Sequence, residues 1–236
     1  MPRQTFELEL GHLEDEVLIL GSMTEKAITS SVEALKKRDQ ETARQIIAAD
    51  FEINHKRFEI EEECIQLVAT QQPMAGDLRT IVAVLHIIVD LERMADHAEG
   101  IARVTLRIGD EPLLKPLIDI PRMAEKGVSM LRRALVAFIE RDAEAAMQIG
   151  SEDNEVDNLY DQVYRELLTF MIADPRTINR ATSLLWVAHN LERIADRVTN
   201  ICERVVYMVT GQMEEMNVKG LGGDSIRQRT LPPEPK

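Results

Sequence analysis

Aromatic residues are scarce in this chain, with one Trp, three Tyr and five Phe among 236 residues, and glycine numbers only 11. A large β-sandwich or barrel needs β-formers and frequent turn residues, so an all-β architecture has almost nothing to draw on here. Cysteine is nearly absent as well: Cys64 and Cys202 stand far apart and in no C-x-x-C arrangement. A disulfide framework or a zinc knuckle is therefore excluded, and both thiols read as core residues in helical, apolar stretches. The longest apolar stretch, 81–89, is interrupted by His86 and falls well short of the ~20 residues of a membrane span. No apolar segment follows the first charged residues, so no signal peptide is read and a soluble, cytoplasmic protein is expected. Gly-rich phosphate loops, dinucleotide fingerprints and nucleophile–base pairs are missing too.

What is present is a helix former's composition: Leu, Ile, Ala, Glu, Arg and Met dominate. The net charge of −13 repels phosphate backbones, which argues against nucleic-acid binding and favours cations or a partner's basic patch. Apolar residues recur with helical period over 6–37, 40–71, 74–108, 117–140, 143–172 and 176–209, with Asp39 as a candidate cap. The connections are short, so these six helices must fold back as antiparallel neighbours. Beyond Gly211 the Gly- and Pro-containing sequence cannot sustain a packed helix, and 212–236 is expected to be a disordered tail.

The chain also repeats itself. Leu91-Glu92-Arg93-Met94-Ala95-Asp96 returns one hundred residues later as Leu191-Glu192-Arg193-Ile194-Ala195-Asp196. Met23-Thr24-Glu25-Lys26 matches Met123-Ala124-Glu125-Lys126, and the Arg38-Asp39 turn matches Arg141-Asp142. The expected fold is all-α: two tandem antiparallel three-helix bundles from an internal duplication, one over 5–109 and one over 116–211.

The repeated hexapeptide carries a Glu and an Asp four residues apart, which places both carboxylates on one helical face about one turn from each other. Glu92, Asp96 and Glu99 border the buried stripe of one helix; Glu192, Asp196 and Asn200 are read as the same flank of the other. An exposed pair would be a solvated flank with Arg93 and Arg193 as ion partners, but retention of both members in both halves weakens that reading. Asp50 and Asn54 in the first half, and Asp153 and Asp157 in the second, add an oxygen-bearing pair at the same spacing on the preceding helix. The candidate ligands are thus Asp50, Asn54, Glu92 and Asp96, and Asp153, Asp157, Glu192 and Asp196. Such an all-oxygen set suits a hard divalent or trivalent cation, iron, manganese or magnesium ahead of zinc. Histidines add no ligand: His86 and His189 read as core residues, and His97 faces away from Asp96. A ferritin-like oxidase would need two Glu-x-x-His motifs on different helices, and only Glu52-x-x-His55 exists.

The segment Gln72-Pro73-Met74-Ala75-Gly76-Asp77-Leu78-Arg79, followed by 90–97 and 190–196, strongly resembles the PhoU family of phosphate-specific transport accessory proteins over residues 5–211. The resemblance implies two three-helix bundles, commonly dimeric, whose Glu/Asp-x-x-x-Asp motifs can hold mono- or multinuclear metal clusters. It implies no catalysis. It implies negative regulation of the phosphate-starvation response through a sensor histidine kinase and the ATP-binding subunit of the phosphate ABC transporter. Asn54, where the pattern favours Asp, and Gly100, opposite Asn200, set the first half apart and rank the second as the better metal site. A carboxylate-bridged metalloenzyme and a purely structural helical adaptor are the rival readings.

Overall fold

A computed structural model describes residues 2–213, 215 and 216. Its described residues form seven α-helices and no strand: α1 (Pro2–Lys37), α2 (Gln40–Gln71), α3 (Ala75–Ile108), α4 (Asp119–Glu140), α5 (Ala143–Ser151), α6 (Asp153–Ala173) and α7 (Ile178–Thr210). A 3-10 turn over Pro175–Thr177 leads into α7. Among the described residues, no helix is long and apolar enough to cross a membrane.

Local chemistry sets the corners. Arg38 and Arg141 each take a left-handed backbone, both at φ 56°, and each is followed by an aspartate that caps the next helix. Asp39 accepts from the amides of Glu41 and Thr42, while Asp142 accepts from that of Ala145. The two turns occupy equivalent places in the two halves. Gly109 and Gly211 end α3 and α7 with positive φ, which glycine alone adopts without steric cost.

One helix departs from the periodicity. The stretch 143–172 is not continuous; it breaks at Glu152 into α5 and α6. Gly150-Ser151 lowers helix propensity where α2 has Ile47-Ala48. Glu152 is also drawn to α4, where Arg133 makes two bonds to it at 2.7 and 2.6 Å and Lys126 a third at 2.6 Å. These cations hold its carboxyl down at about 2.

Helices α1, α2 and α3 pack mutually, as do α4, α5/α6 and α7. The two sets meet along two antiparallel seams, α1 against α4 and α3 against α7. In the first seam Glu14 meets Arg141 and Glu25 meets Arg132; in the second Arg79 reaches the carbonyl of Met208, and His97 meets Asn190. Descending partners against ascending numbers define a pseudo-twofold axis between the halves. Side chains from both halves, including Leu20, Leu91, Met130 and Leu191, belong to one continuous apolar core. Cys64 and Cys202 are buried free thiols, and burial pushes each up to about 12.

The α1–α4 seam is close because Gly21 has no side chain: a Cβ there would stand 2.3 Å from Leu135 Cδ1. Gly21→Val should therefore destabilise the fold by a net about 1–2 kcal/mol, overpacking outweighing the gain in helix propensity. A urea titration with an unchanged slope and a lower midpoint is the expected record; an unchanged midpoint would show that the seam can open without cost.

Two of the described residues in the stretch expected to be a tail contact the helices. Arg204 contacts the sulfur of Met213, the amide of Met216 donates to Glu203 at 2.8 Å, and Met216 packs on the core beside Gly150. Positions 214 and 217–236 of that stretch lie outside the described residues.

Candidate metal centre

The first carboxylate cluster forms where α2 crosses α3. Asp50 on α2 lies in the field of Asp96 and Glu99 on α3. Its carboxyl is pushed above the ordinary range by burial first and by those two charges next. Glu92 is raised in the same way, by burial and then by Asp96, with Asp50 adding and Arg57 opposing. Asp96 is raised by burial and then by Glu99. Four carboxylates thus share one pocket of negative charge. Asn54 turns its amide nitrogen to Asp50 Oδ2 at 2.7 Å, and Asp50 Oδ1 is buried with no hydrogen-bond donor.

An orphaned, buried carboxylate oxygen in a set of like charges is costly unless a cation is supplied. The donor chemistry of Asp50, Asn54, Glu92, Asp96 and Glu99 fits a hard metal on both counts. The side chains nonetheless stand apart: among the described residues no three His, Cys, Asp or Glu groups converge at ligand spacing. A bound metal would have to draw them inward.

The second set is arranged differently. Asp153 is buried at the first turn of α6, and Asp157 follows one turn on. Glu192 faces His189 at 3.7 Å and Arg193 at 3.8 Å, while Arg193 also bonds Asp196 at 3.0 Å. The ion pairing expected of a solvated flank is therefore realised for Glu192 and Asp196.

Three placements correct the sequence reading. Asn200 does not continue the flank of Glu192 and Asp196; it lies in the α3–α7 seam, donating to Asp90 at 3.3 Å. Gly100 sits in the same seam, where a Cβ would come within 3.2 Å of Asn190 Oδ1. The Gly100–Asn200 difference thus bears on the seam and not on metal. His86 is exposed and His189 only half-buried, so neither is a core residue. His97 does face away from Asp96, with Nδ1 at 2.9 Å from Asn190 Oδ1. Asn190 donates its own amide to the carbonyl of Trp186, so the His97 ring supplies the proton of that bond. The sequence reading missed Arg57, which moderates Glu92 and bonds Glu61 at 3.0 Å. Its spacing of two turns from Asp50 on α2 was the available signal.

A duplicated unit is also what the family comparison finds. The PhoU domain matches this chain twice, over residues 17–105 and 120–205. The chain belongs to the PhoU family. It is 40% identical to the phosphate-specific transport system accessory protein PhoU homolog of Clostridium acetobutylicum, covering 92% of this chain and 100% of that protein. Against the PhoU accessory protein of Edwardsiella tarda it is 34% identical, covering 94% and 90% of the two chains. The crystal structure of PhoU from Pseudomonas aeruginosa superimposes with a TM-score of 0.83 at 34% identity, over 88% of this chain and 100% of that one. The phosphate transport system regulatory protein PhoU of Streptococcus pneumoniae gives 0.83 at 35% identity, over 89% and 99%. PhoU membership thus covers both halves and both seams.

Proposed function

We propose that this chain is an accessory regulator of phosphate-specific transport, acting through protein contacts and not by catalysis. The observation that carries this reading is similarity over most of the chain to accessory proteins of phosphate transport, with the family domain matched in both repeats. In this reading a cytoplasmic homodimer restrains the phosphate-starvation response when phosphate is ample and modulates high-affinity uptake. Its partners are the sensor histidine kinase of the phosphate two-component system and the ATP-binding subunit of the phosphate ABC transporter.

Metal belongs to the same proposal. The sequence comparison favours the second half, with Asp153, Asp157, Glu192 and Asp196 all acidic; the charge geometry weighs towards the first. There Arg103 pairs with Glu99, but Asp50, Glu92 and Asp96 stay raised despite the neighbouring arginines, and Asp50 Oδ1 has no donor at all. A hard cation, iron foremost, with manganese, magnesium or zinc also accommodated, would supply the missing positive charge. It would tie α2 to α3 without redox or hydrolytic work.

The test is a phosphate-responsive reporter in a strain lacking this gene, complemented with wild type. Reporter expression in high phosphate should rise on deletion and fall again on complementation. Unchanged expression on deletion removes the regulatory reading.

A further inference from the structure

The outer face of α2 carries an apolar stripe that the fold does not use. Phe51, Phe58 and Ile65 are 71, 59 and 60% exposed, and they recur every seven residues. Seven residues advance a helix by two turns less about 20°, so the three side chains form one line roughly 20 Å long. That line lies opposite the buried stripe of Ile53, Ile60 and Leu67. Packing within this chain gives no reason for it.

The second half supplies an internal control. At the equivalent places on α6 stand Asn154, Asp161 and Leu168, so this layer of the fold tolerates polar residues. The line of three at this spacing is not repeated on α6, whose exposed Tyr164, Leu168 and Ile172 gather towards its C-terminal end instead, and exposed phenylalanines in register are a cost that an interface would explain.

Charge selects the occupant. Glu52, Glu59 and Glu62 border the line. The nearby cations are already engaged: Lys56 by Glu16 and Glu59, Arg57 by Glu61 and by the face of Phe58. A second copy would set these glutamates against their own kind, and an anionic membrane would be repelled likewise. We infer that the α2 face docks an amphipathic helix of a partner protein, apolar along one line and flanked by Lys and Arg. This deepens the reading of the chain as a contact-based regulator, and it rests on it.

The probe is a fluorescent helical peptide of about 18 residues with leucines on one face and lysines and arginines flanking them. Anisotropy titration against the full chain should show binding that weakens with salt. Phe58→Gln with Ile65→Gln should reduce affinity by about tenfold or more. Leu168→Gln with Ile172→Gln on α6 should leave it unchanged. Glu59→Lys with Glu62→Lys should weaken the basic peptide and admit a glutamate-flanked one of the same apolar pattern. Equal losses in the α2 and α6 variants, or a wild-type chain that prefers the glutamate-flanked peptide, would overturn the assignment. So would a sedimentation shift from dimer to monomer in the Phe58/Ile65 variant with peptide binding intact, which would make a second copy the occupant. The deletion reporter judges the regulatory reading separately: restored repression without peptide binding removes only this docking surface.

Discussion

Asp96→Asn should abolish the metal binding proposed for the first cluster while making the metal-free protein more stable. Asp96 is the charge that raises both Asp50 and Glu92, and burial raises it in turn. Neutralising it removes a ligand and two repulsions at once. Loss of a ligand should lower metal affinity by at least about 100-fold, since even second-shell losses cost 10–100-fold. The gain in the metal-free state should be of order 0.5 kcal/mol, the scale of partly solvated like-charge pairs.

The pH dependence gives the sign. A carboxylate raised in the fold binds more protons folded than unfolded, so stability falls as pH rises through and above the ordinary values of 3.8 and 4.5. Carboxylates held low, such as Glu152, act oppositely and lose their contribution as pH falls towards about 2. The difference between variant and wild type isolates the cluster: it should be small near pH 4 and full at neutrality. Urea titrations of chelator-stripped protein at both pH values, beside metal analysis of unstripped protein, make the measurement. A variant that keeps its metal, or that gains nothing at neutral pH, would show that Asp96 is a solvated flank residue.

The features legible in the sequence were those with local causes. The Asp39 and Asp142 caps follow from side-chain geometry within one turn, and the helices follow from a period sustained over many residues. The break at Glu152 was hidden because the apolar period runs through it. Gly150-Ser151 only weakens the helix there, and the pull on Glu152 comes from a distance, from Arg133 and Lys126 on α4. The face of Asn200 was misread for a similar reason. About 80° separates it from Glu192 on the helical wheel, and only the antiparallel crossing of α3 and α7 decides that it meets Asp90. Glu99 shows the converse: its partner in the other repeat is Thr199, so a carboxylate at this position joins the charge cluster in the first half alone. Duplication hid that asymmetry until the chain was folded.

The α3–α7 seam completes this asymmetry, because the pseudo-twofold exchanges unlike residues. Asp90 is related to Asn190, and Arg197 to His97. One end of the seam is accordingly an ion pair, Asp90 with Arg197 at 3.4 Å, and the other a neutral bond between His97 and Asn190 at 2.9 Å. Arg197→Met should expose what the ion pair does. Asp90 is only 8% exposed, and burial already raises its carboxyl against the pull of Asn200 and Arg197. Without Arg197 it keeps the amide of Asn200 and the field of Arg93. Breaking a fully buried pair costs ~3–5 kcal/mol. Because the Arg197 side chain remains 28% exposed, about 2–3 kcal/mol is expected at neutral pH. The penalty belongs to the charged form of Asp90, so it should shrink as pH falls towards the ordinary carboxylate range and the group takes up a proton. Adding Asp90→Asn should recover most of the loss, because the double variant buries no unpaired charge. Denaturation midpoints of the four proteins in this cycle, each at acid and neutral pH, decide the matter. A pH-independent loss, or a double variant no better than Arg197→Met, would assign the seam's stability to packing around Met94 and Ile194 instead.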